Sequence, residues 1–320
     1  MFGQSPATRI LRAGVVGIGA FGRHHASKYS KLAGVELVAV ADPSLDARRE
    51  AATNHHGIKA VADWKELLGA VDIVSVCTPA VTHAPIVRAF LNAGVHVLVE
   101  KPIATDLDEA DQLIALAEAK GLVLTVGHQE RFVFARTGLL EYPDAPIEIE
   151  TWRNGPWTGR GADVSAVLDL MIHDLDLVHR LVPCDVADVQ ATGRATQGGH
   201  ADEVTARVTF DNGTVAKLTA SRISPIRRRG LRAVYADGVI EIDFITRVVR
   251  NTTKRPLGSL DLGDPLGESV ASFVNAAHRN APTLVRPEEA RRALETALLI
   301  DEAAAPRAGQ RGVKDFVLYA

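Results

Sequence analysis

The period of the apolar positions changes near Gly127, and with it the kind of structure the chain encodes. From Arg12 to Gly127, short runs rich in β-branched residues alternate with segments of helical spacing, the pattern of a parallel sheet with crossover helices. Residues 13–17, 36–41, 73–77, 95–100 and 123–126 read as strands. They are near-continuously apolar, as strands are when both faces of a sheet are covered. Between them, residues 20–32, 45–53, 82–93 and 107–120 read as helices, and Gly94 and Gly121 sit just past the last two as C-terminal caps.

Beyond Gly127 the chain predicts a helix over 130–140, an extended segment over 147–152, a glycine-rich loop over 154–161 and an apolar-periodic helix over 164–181. Alternating runs follow at 188–195, 203–210, 215–221, 232–236, 239–243 and 246–251, with Asp211-Asn212-Gly213 and Asp237-Gly238 as hairpin turn signals. Helices over 266–278 and 287–304 and a last strand over 312–319 complete the chain. The expected fold class is α/β. A doubly wound parallel sheet of Rossmann type occupies residues 1–127, and an α+β domain with a large, open, mostly antiparallel sheet occupies 128–320. A length of 320 residues matches about two domains, and 47% hydrophobic content is enough to fill two cores.

Charge and cysteine usage narrow the function. Lys plus Arg number 36 against 39 Asp plus Glu, a formal charge of −3, so no basic excess exists to bind a phosphate backbone and nucleic acid is not an expected partner. Cys77 and Cys184 lie far apart in apolar contexts, which argues for small core residues, a reducing compartment and no thiolate metal site. Arg9 and Arg12 precede a short apolar stretch, but it is interrupted by glycines and lacks a cleavage signal. No run of eighteen apolar residues occurs, so the expectation is a cytoplasmic protein without a membrane span.

Gly17-Ile18-Gly19-Ala20-Phe21-Gly22 matches G-x-G-x-x-G, a pattern that 26 glycines in 320 residues produce by chance in roughly one chain in six. Context makes it informative. It follows an apolar strand, opens a helix, and has Asp42 at the end of the next strand. Gly17 permits the tight turn, Gly19 lets a pyrophosphate approach the backbone, and Gly22 allows close helix–strand contact beside free helix N–H groups. Asp42 would accept hydrogen bonds from the adenosine ribose hydroxyls and repel a 2′-phosphate, favouring NAD over NADP; a turn or N-cap role before Pro43 is the alternative.

Two further groups carry chemistry. Glu100-Lys101-Pro102 follows an apolar strand, which puts the Lys101 ammonium at the ligand-binding edge of a doubly wound sheet, where it could hold a substrate hydroxyl; a solvated loop charge is the alternative. Asp169, His173 and Asp176 are spaced by four and three, on one helical face. A carboxylate one turn from a histidine fixes its tautomer and stabilises its cation, as a general base requires. The same spacing serves a capped core histidine or a metal pair completed elsewhere. Arg227-Arg228-Arg229 reads as a solvated edge or turn; the adjacent pairs His24-His25 and His55-His56 point apart and cannot chelate together, and His24 reads as a surface residue, with covering the cofactor as the alternative.

Together these residues resemble the glucose–fructose oxidoreductase / inositol dehydrogenase / MocA family. The resemblance runs from the glycine motif through Cys77-Thr78-Pro79, Thr82-His83, Ala93-Gly94-Val95-His96-Val97, Glu100-Lys101-Pro102 and Gly127-His128 to Asp169 and His173. It implies an NAD-dependent oxidoreductase acting on a CH–OH group of a sugar. Lys101, Asp169 and His173 become the expected catalytic trio, with His173 as base, Lys101 as substrate anchor and proton-relay partner, and Asp169 binding substrate or supporting the histidine. It also implies cofactor contacts from Gly17, Gly19, Ala20, Phe21, Gly22, Asp42, Thr78, Pro79, His83, Glu100 and Lys101. No metal is implied. A substrate cleft on one side of the second sheet, and a homodimer or homotetramer built through its open face, would be ordinary for the family.

Within the family, Gly127-His128-Gln129-Glu130-Arg131-Phe132 and the stretch from Val167 to Asp176 are similar to members acting on nucleotide-activated amino sugars, notably UDP-N-acetylglucosamine 3-dehydrogenases. Those members continue Arg-Phe-Asn-Pro, whereas this chain has Phe132-Val133-Phe134. Arg131, Arg153 and Arg160 are candidates to meet a diphosphate, which guanidinium binds bidentately. Two other classes remain open: an NAD-dependent glycosidase on the same fold, and a non-catalytic protein that senses NAD or a sugar.

Overall fold

The computed structural model describes residues 9–305 except 160, 198, 262, 280 and 281, so Arg160 and the strand expected over 312–319 lie outside the described residues. The first half alternates strand and helix: β1 Leu11–Val16, α1 Gly22–Tyr29, β2 Val35–Ala41, α2 Leu45–Asn54, β3 Lys59–Val61, β4 Ile73–Val76, α3 His83–Asn92, β5 His96–Val99, α4 Leu107–Ala119 and β6 Leu124–Val126. The six strands are parallel in the order β3-β2-β1-β4-β5-β6. The order reverses between β1 and β4, which opens a crevice at their carboxyl ends. Short β3 has an exposed lysine at its start and no apolar run, which is why the periodicity missed it. Local signals set the helix ends: the Ser44 and Asp106 side chains accept from Ala47 and Glu109 N–H, and Gly94 and Gly121 turn with φ of 79° and 63°.

The second half comprises α5 Glu130–Thr137, β7 Glu148–Asn154, α6 Ile172–Leu181, β8 Val186–Arg194, β9 Glu203–Phe210, β10 Val215–Ser221, β11 Arg228–Tyr235, β12 Gly238–Asp243, β13 Val248–Asn251, α7 Pro265–Arg279 and α8 Pro287–Ala304. Its seven-stranded sheet runs β13-β12-β11-β7-β10-β9-β8 and is antiparallel except between β7 and β10. One face buries Ile149, Ala206, Leu218, Leu231, Ala233 and Ile240. The other carries a register row from Arg207 through Lys217, Glu150, Arg232 and Glu241 to Arg250.

Two expected helices are modified. The 130–140 helix stops at Thr137, where Gly138 takes φ 75°, and the 164–181 helix contains a π-helical turn over Val167–Met171 before α6. The last helices cross back: Val270, Phe273, Val274 and Ala276 of α7 share an apolar cluster with Leu11, Val15 and Leu37 of the first sheet. Ala293, Leu294, Ala297 and Ile300 of α8 join the larger core with α4 and α6.

Candidate active site

The turn after β1 is shaped by close approach. A Cβ on Gly17, whose φ is 84°, would lie 2.7 Å from Cys77 O, and one on Gly22 would lie 1.7 Å from Gly17 O. Gly19 has nothing within 4 Å of its Cβ direction, so the backbone there is open to a ligand. Two glycines forced by neighbours and one facing open space form the cradle that a dinucleotide pyrophosphate needs. Asp42 is held beside it, Oδ2 accepting from Ile18 N–H and Oδ1 from Ser44 N–H, each at 2.8 Å. Arg48 donates to the Asp42 and Pro43 carbonyls at 2.8 and 2.9 Å.

The motif residues after β4 and β5 tie this edge together. His83 is buried, with Nδ1 2.7 Å from Pro102 O and Nε2 2.9 Å from Thr78 O, so it holds the Thr78-Pro79 and Lys101-Pro102 turns against each other. Its influence on a ligand runs through those turns. Glu100 accepts from His25 and Gln129 at 2.9 Å each, and Ser75 joins His25 to Tyr29 at 3.0 and 2.8 Å. Burial opposes ionisation of Glu100, but the His25 hydrogen bond and charge, with Lys101, hold its carboxyl below the usual range. His25 is 0% exposed: α1 turns it onto the sheet, where Ser75 and Glu100 satisfy both ring nitrogens. His24 is exposed.

Lys101, Asp169 and His173 line one cleft of about 650 Å³, together with Ala20, Phe21 and Thr78 of the cofactor edge. Lys101 Nζ donates to Asp169 O at 2.5 Å and to its Oδ1 at 3.2 Å, so the ammonium is aimed by the π-helical turn. Burial, opposed by the Glu130 carboxylate and reinforced by Lys101, Arg153 and His128, pushes His173 well below the ordinary histidine value. A neutral imidazole beside an ammonium is an arrangement that can act as a base and an anchor for a hydroxyl. Among the described residues, no group of three or more His, Cys, Asp and Glu is arranged to hold a metal ion.

Two family models match the chain: an oxidoreductase family with NAD-binding Rossmann fold over residues 11–128, and the GFO/IDH/MocA C-terminal domain over 140–241. A UDP-N-acetylglucosamine 3-dehydrogenase of Acidithiobacillus ferrooxidans is 35% identical over 91% of this chain and 96% of its own. The chain belongs to the Gfo/Idh/MocA oxidoreductase family. Residues 11–128 are therefore an NAD-binding Rossmann domain, in keeping with the glycine cradle. The solved structure of the A. ferrooxidans enzyme superposes with a TM-score of 0.84, covering 92% of this chain and 97% of that one. A scyllo-inositol dehydrogenase of Lactobacillus casei, with bound NAD(H) and scyllo-inositol, shares the fold at 20% identity, TM-score 0.79, covering 92% and 97%.

Against this Gfo/Idh/MocA frame several expectations need correction. Asp176 does not serve His173: it takes a bidentate pair from Arg131 at 2.6 and 2.7 Å. Arg131 also meets Glu289 and is 1% exposed, so it is a structural cation sealed away from any diphosphate. The carboxylate beside His173 is instead Glu130 of α5, its Oε1 3.7 Å from Nδ1. Arg153 lines the cleft with its charge already engaged, by Glu130 at 2.7 and 2.9 Å and by Asp174 at 2.7 and 3.2 Å. Arg227, Arg228 and Arg229 all line the cleft: Arg227 and Arg228 are exposed, as a solvated edge would be, whereas Arg229, turned inward at the start of β11, pairs with Glu130. Cys77 also lines the cleft, half-buried at the end of β4, and burial then Glu100 push its thiol well above the usual value.

Glu130 was missed because one residue before an arginine it reads as surface. Strand parity carried the signal. Arg153 falls in phase with buried Ile149 and Thr151, and Arg229 in phase with buried Leu231 and Ala233. A charge at an inward strand position requires a partner.

Proposed function

We propose that the protein oxidises a ring hydroxyl of a nucleotide-activated amino sugar, as a UDP-N-acetylglucosamine 3-dehydrogenase. The observation that carries this reading is the convergence of Lys101, Asp169 and His173 on one cleft beside the glycine cradle. NAD bound in that cradle supplies the hydride acceptor. The Lys101 ammonium, steadied by Asp169, donates to the sugar hydroxyl oxygen and stabilises negative charge there as the proton leaves. His173 takes that proton. The 35% identity to the A. ferrooxidans enzyme over nearly the whole chain supports the substrate class. So do Arg227 and Arg228, which line the cleft exposed and without an ion-pair partner among the described residues, a fit for a diphosphate.

The open face of the second sheet, with its row of charges from Arg207 to Arg250, is the surface through which we place a homodimer or homotetramer. Sedimentation at low and high salt tests this, since contacts of this kind weaken with ionic strength. No helix among the described residues is long and apolar enough to cross a membrane, and Cys77 and Cys184 are free thiols, which suits a reducing cytoplasm.

The test is incubation of the purified protein with NAD and UDP-N-acetylglucosamine, with and without 2-oxoglutarate, followed by the NADH absorbance and mass spectrometry of the sugar. A 3-keto nucleotide sugar in either sample is the expected result. Unchanged sugar in a sample shown to bind NAD overturns the substrate, and free sugar released without net NADH replaces oxidation with hydrolysis.

A further inference from the structure

Arg153 and Arg229 stand directly opposite each other in the β7–β11 pair. Two guanidiniums in register repel, and such a pair persists only with anions between or beside it. Glu130 supplies one, engaged by both arginines, and Asp174 takes the remaining edge of Arg153. Two cations thus face two carboxylates, and Glu130 stays ionised because Arg153 and then Arg229 overcome its burial.

His173 Nδ1 lies at the rim of this cluster, 3.7 Å from Glu130 Oε1, buried and without a hydrogen bond. A ring nitrogen lone pair turned toward a carboxylate oxygen is repelled, whereas an N–H is attracted. The neutral ring therefore keeps its proton on Nδ1, leaving the Nε2 lone pair for the cleft. We propose that Glu130 is the positioning residue for His173, selecting the tautomer that leaves Nε2 unprotonated, and that Arg229 balances Glu130 so that the imidazole stays neutral. Calling Nε2 the base rests on the function proposed above; the tautomer and the balance do not.

The other groups around the ring are accounted for. Lys101, from the segment after β5, and Arg153, from β7, oppose protonation. His128, whose ring meets that of His173 edge-on at 6.1 Å, is buried with neither nitrogen hydrogen-bonded. Asp169, one turn earlier, is engaged by Lys101, and Asp174, next in sequence, by Arg153. That leaves Glu130 as the carboxylate facing Nδ1 and Arg229 as the cation reaching it from the cleft wall, one third exposed and replaceable without opening the core.

Nitrogen-15 NMR of histidine-labelled full-length protein tests this without a sugar, with His173 assigned among the 11 histidines by difference from His173→Gln. In the wild type the neutral ring should carry its proton on Nδ1. Glu130→Gln should move a measurable fraction of that proton to Nε2. Arg229→Gln, which removes a positive charge and so favours the protonated ring, should raise the titration midpoint by about one pH unit. A wild-type ring protonated on Nε2, or an Arg229→Gln midpoint equal to the wild type, overturns the proposal. If Glu130→Gln fails to bind NAD and so is misfolded, the wild-type tautomer and Arg229→Gln decide alone. Absence of sugar turnover would overturn the substrate reading and leave these signals unaffected.

Discussion

The two sides of the candidate site, the cofactor turn and the charged cluster, are built on opposite principles. The cofactor wall is made of backbone: Gly17 and Gly22 sit where a Cβ would meet main-chain atoms, Gly19 where nothing does, and Asp42 is fixed by two N–H groups. The substrate wall is made of compensated charge: Glu130, Arg153, Asp174 and Arg229 form one ion-pair cluster whose Glu130 faces His173, and Lys101 pairs with Asp169. A wall of the first kind fails when volume is added. A wall of the second kind fails when a charge is left without its counter-charge, even if the shape is kept.

The sharpest break in this comparison is His173→Ala, which should lower turnover by roughly 10²–10⁴ while leaving NAD affinity nearly unchanged, measured by steady-state rates and NAD titration. Arg131→Ala leaves Asp176 and Glu289 without the guanidinium that joins them, and urea unfolding should show a loss of about 3–5 kcal/mol. Its KM for the sugar should not change, because Arg131 does not line the cleft. Gly22→Ala should cost about 1–3 kcal/mol and abolish NAD binding, since the new methyl meets Gly17 O.

A further test concerns acid stability. Burial, with Arg292, lowers His179 to about 4, and its Nδ1 has no partner. Between pH 6.5 and about 4 the unfolded chain binds a proton there that the folded chain refuses, so stability falls as pH falls through that window. His179→Gln should flatten this slope in urea unfolding across the window.

How much of each wall was legible in the sequence follows from how it is made. A glycine turn is local: the strand, the three glycines and Asp42 lie within one strand–helix–strand unit, so the spacing expressed the geometry directly. Parallel strands were legible for the same reason, as in β4, where all four residues are buried. The charged wall joins α5, β7, α6 and β11, and periodicity says nothing about which of these meet. Helical spacing offered Asp176 to His173, yet Arg131 of α5 claims Asp176 and Glu130 of the same helix reaches the histidine instead. Two adjacent residues of one short helix thus divide the carboxylate and guanidinium roles in a way only tertiary contact decides.

The most direct test of the account is the pH dependence of kcat/KM for the sugar oxidation. A base held neutral by its surroundings stays available well into acid, so the acid limb should fall below pH 6.5, the ordinary histidine value, and move upward in Arg229→Gln. An acid limb at or above pH 6.5, unmoved by that substitution, would contradict it.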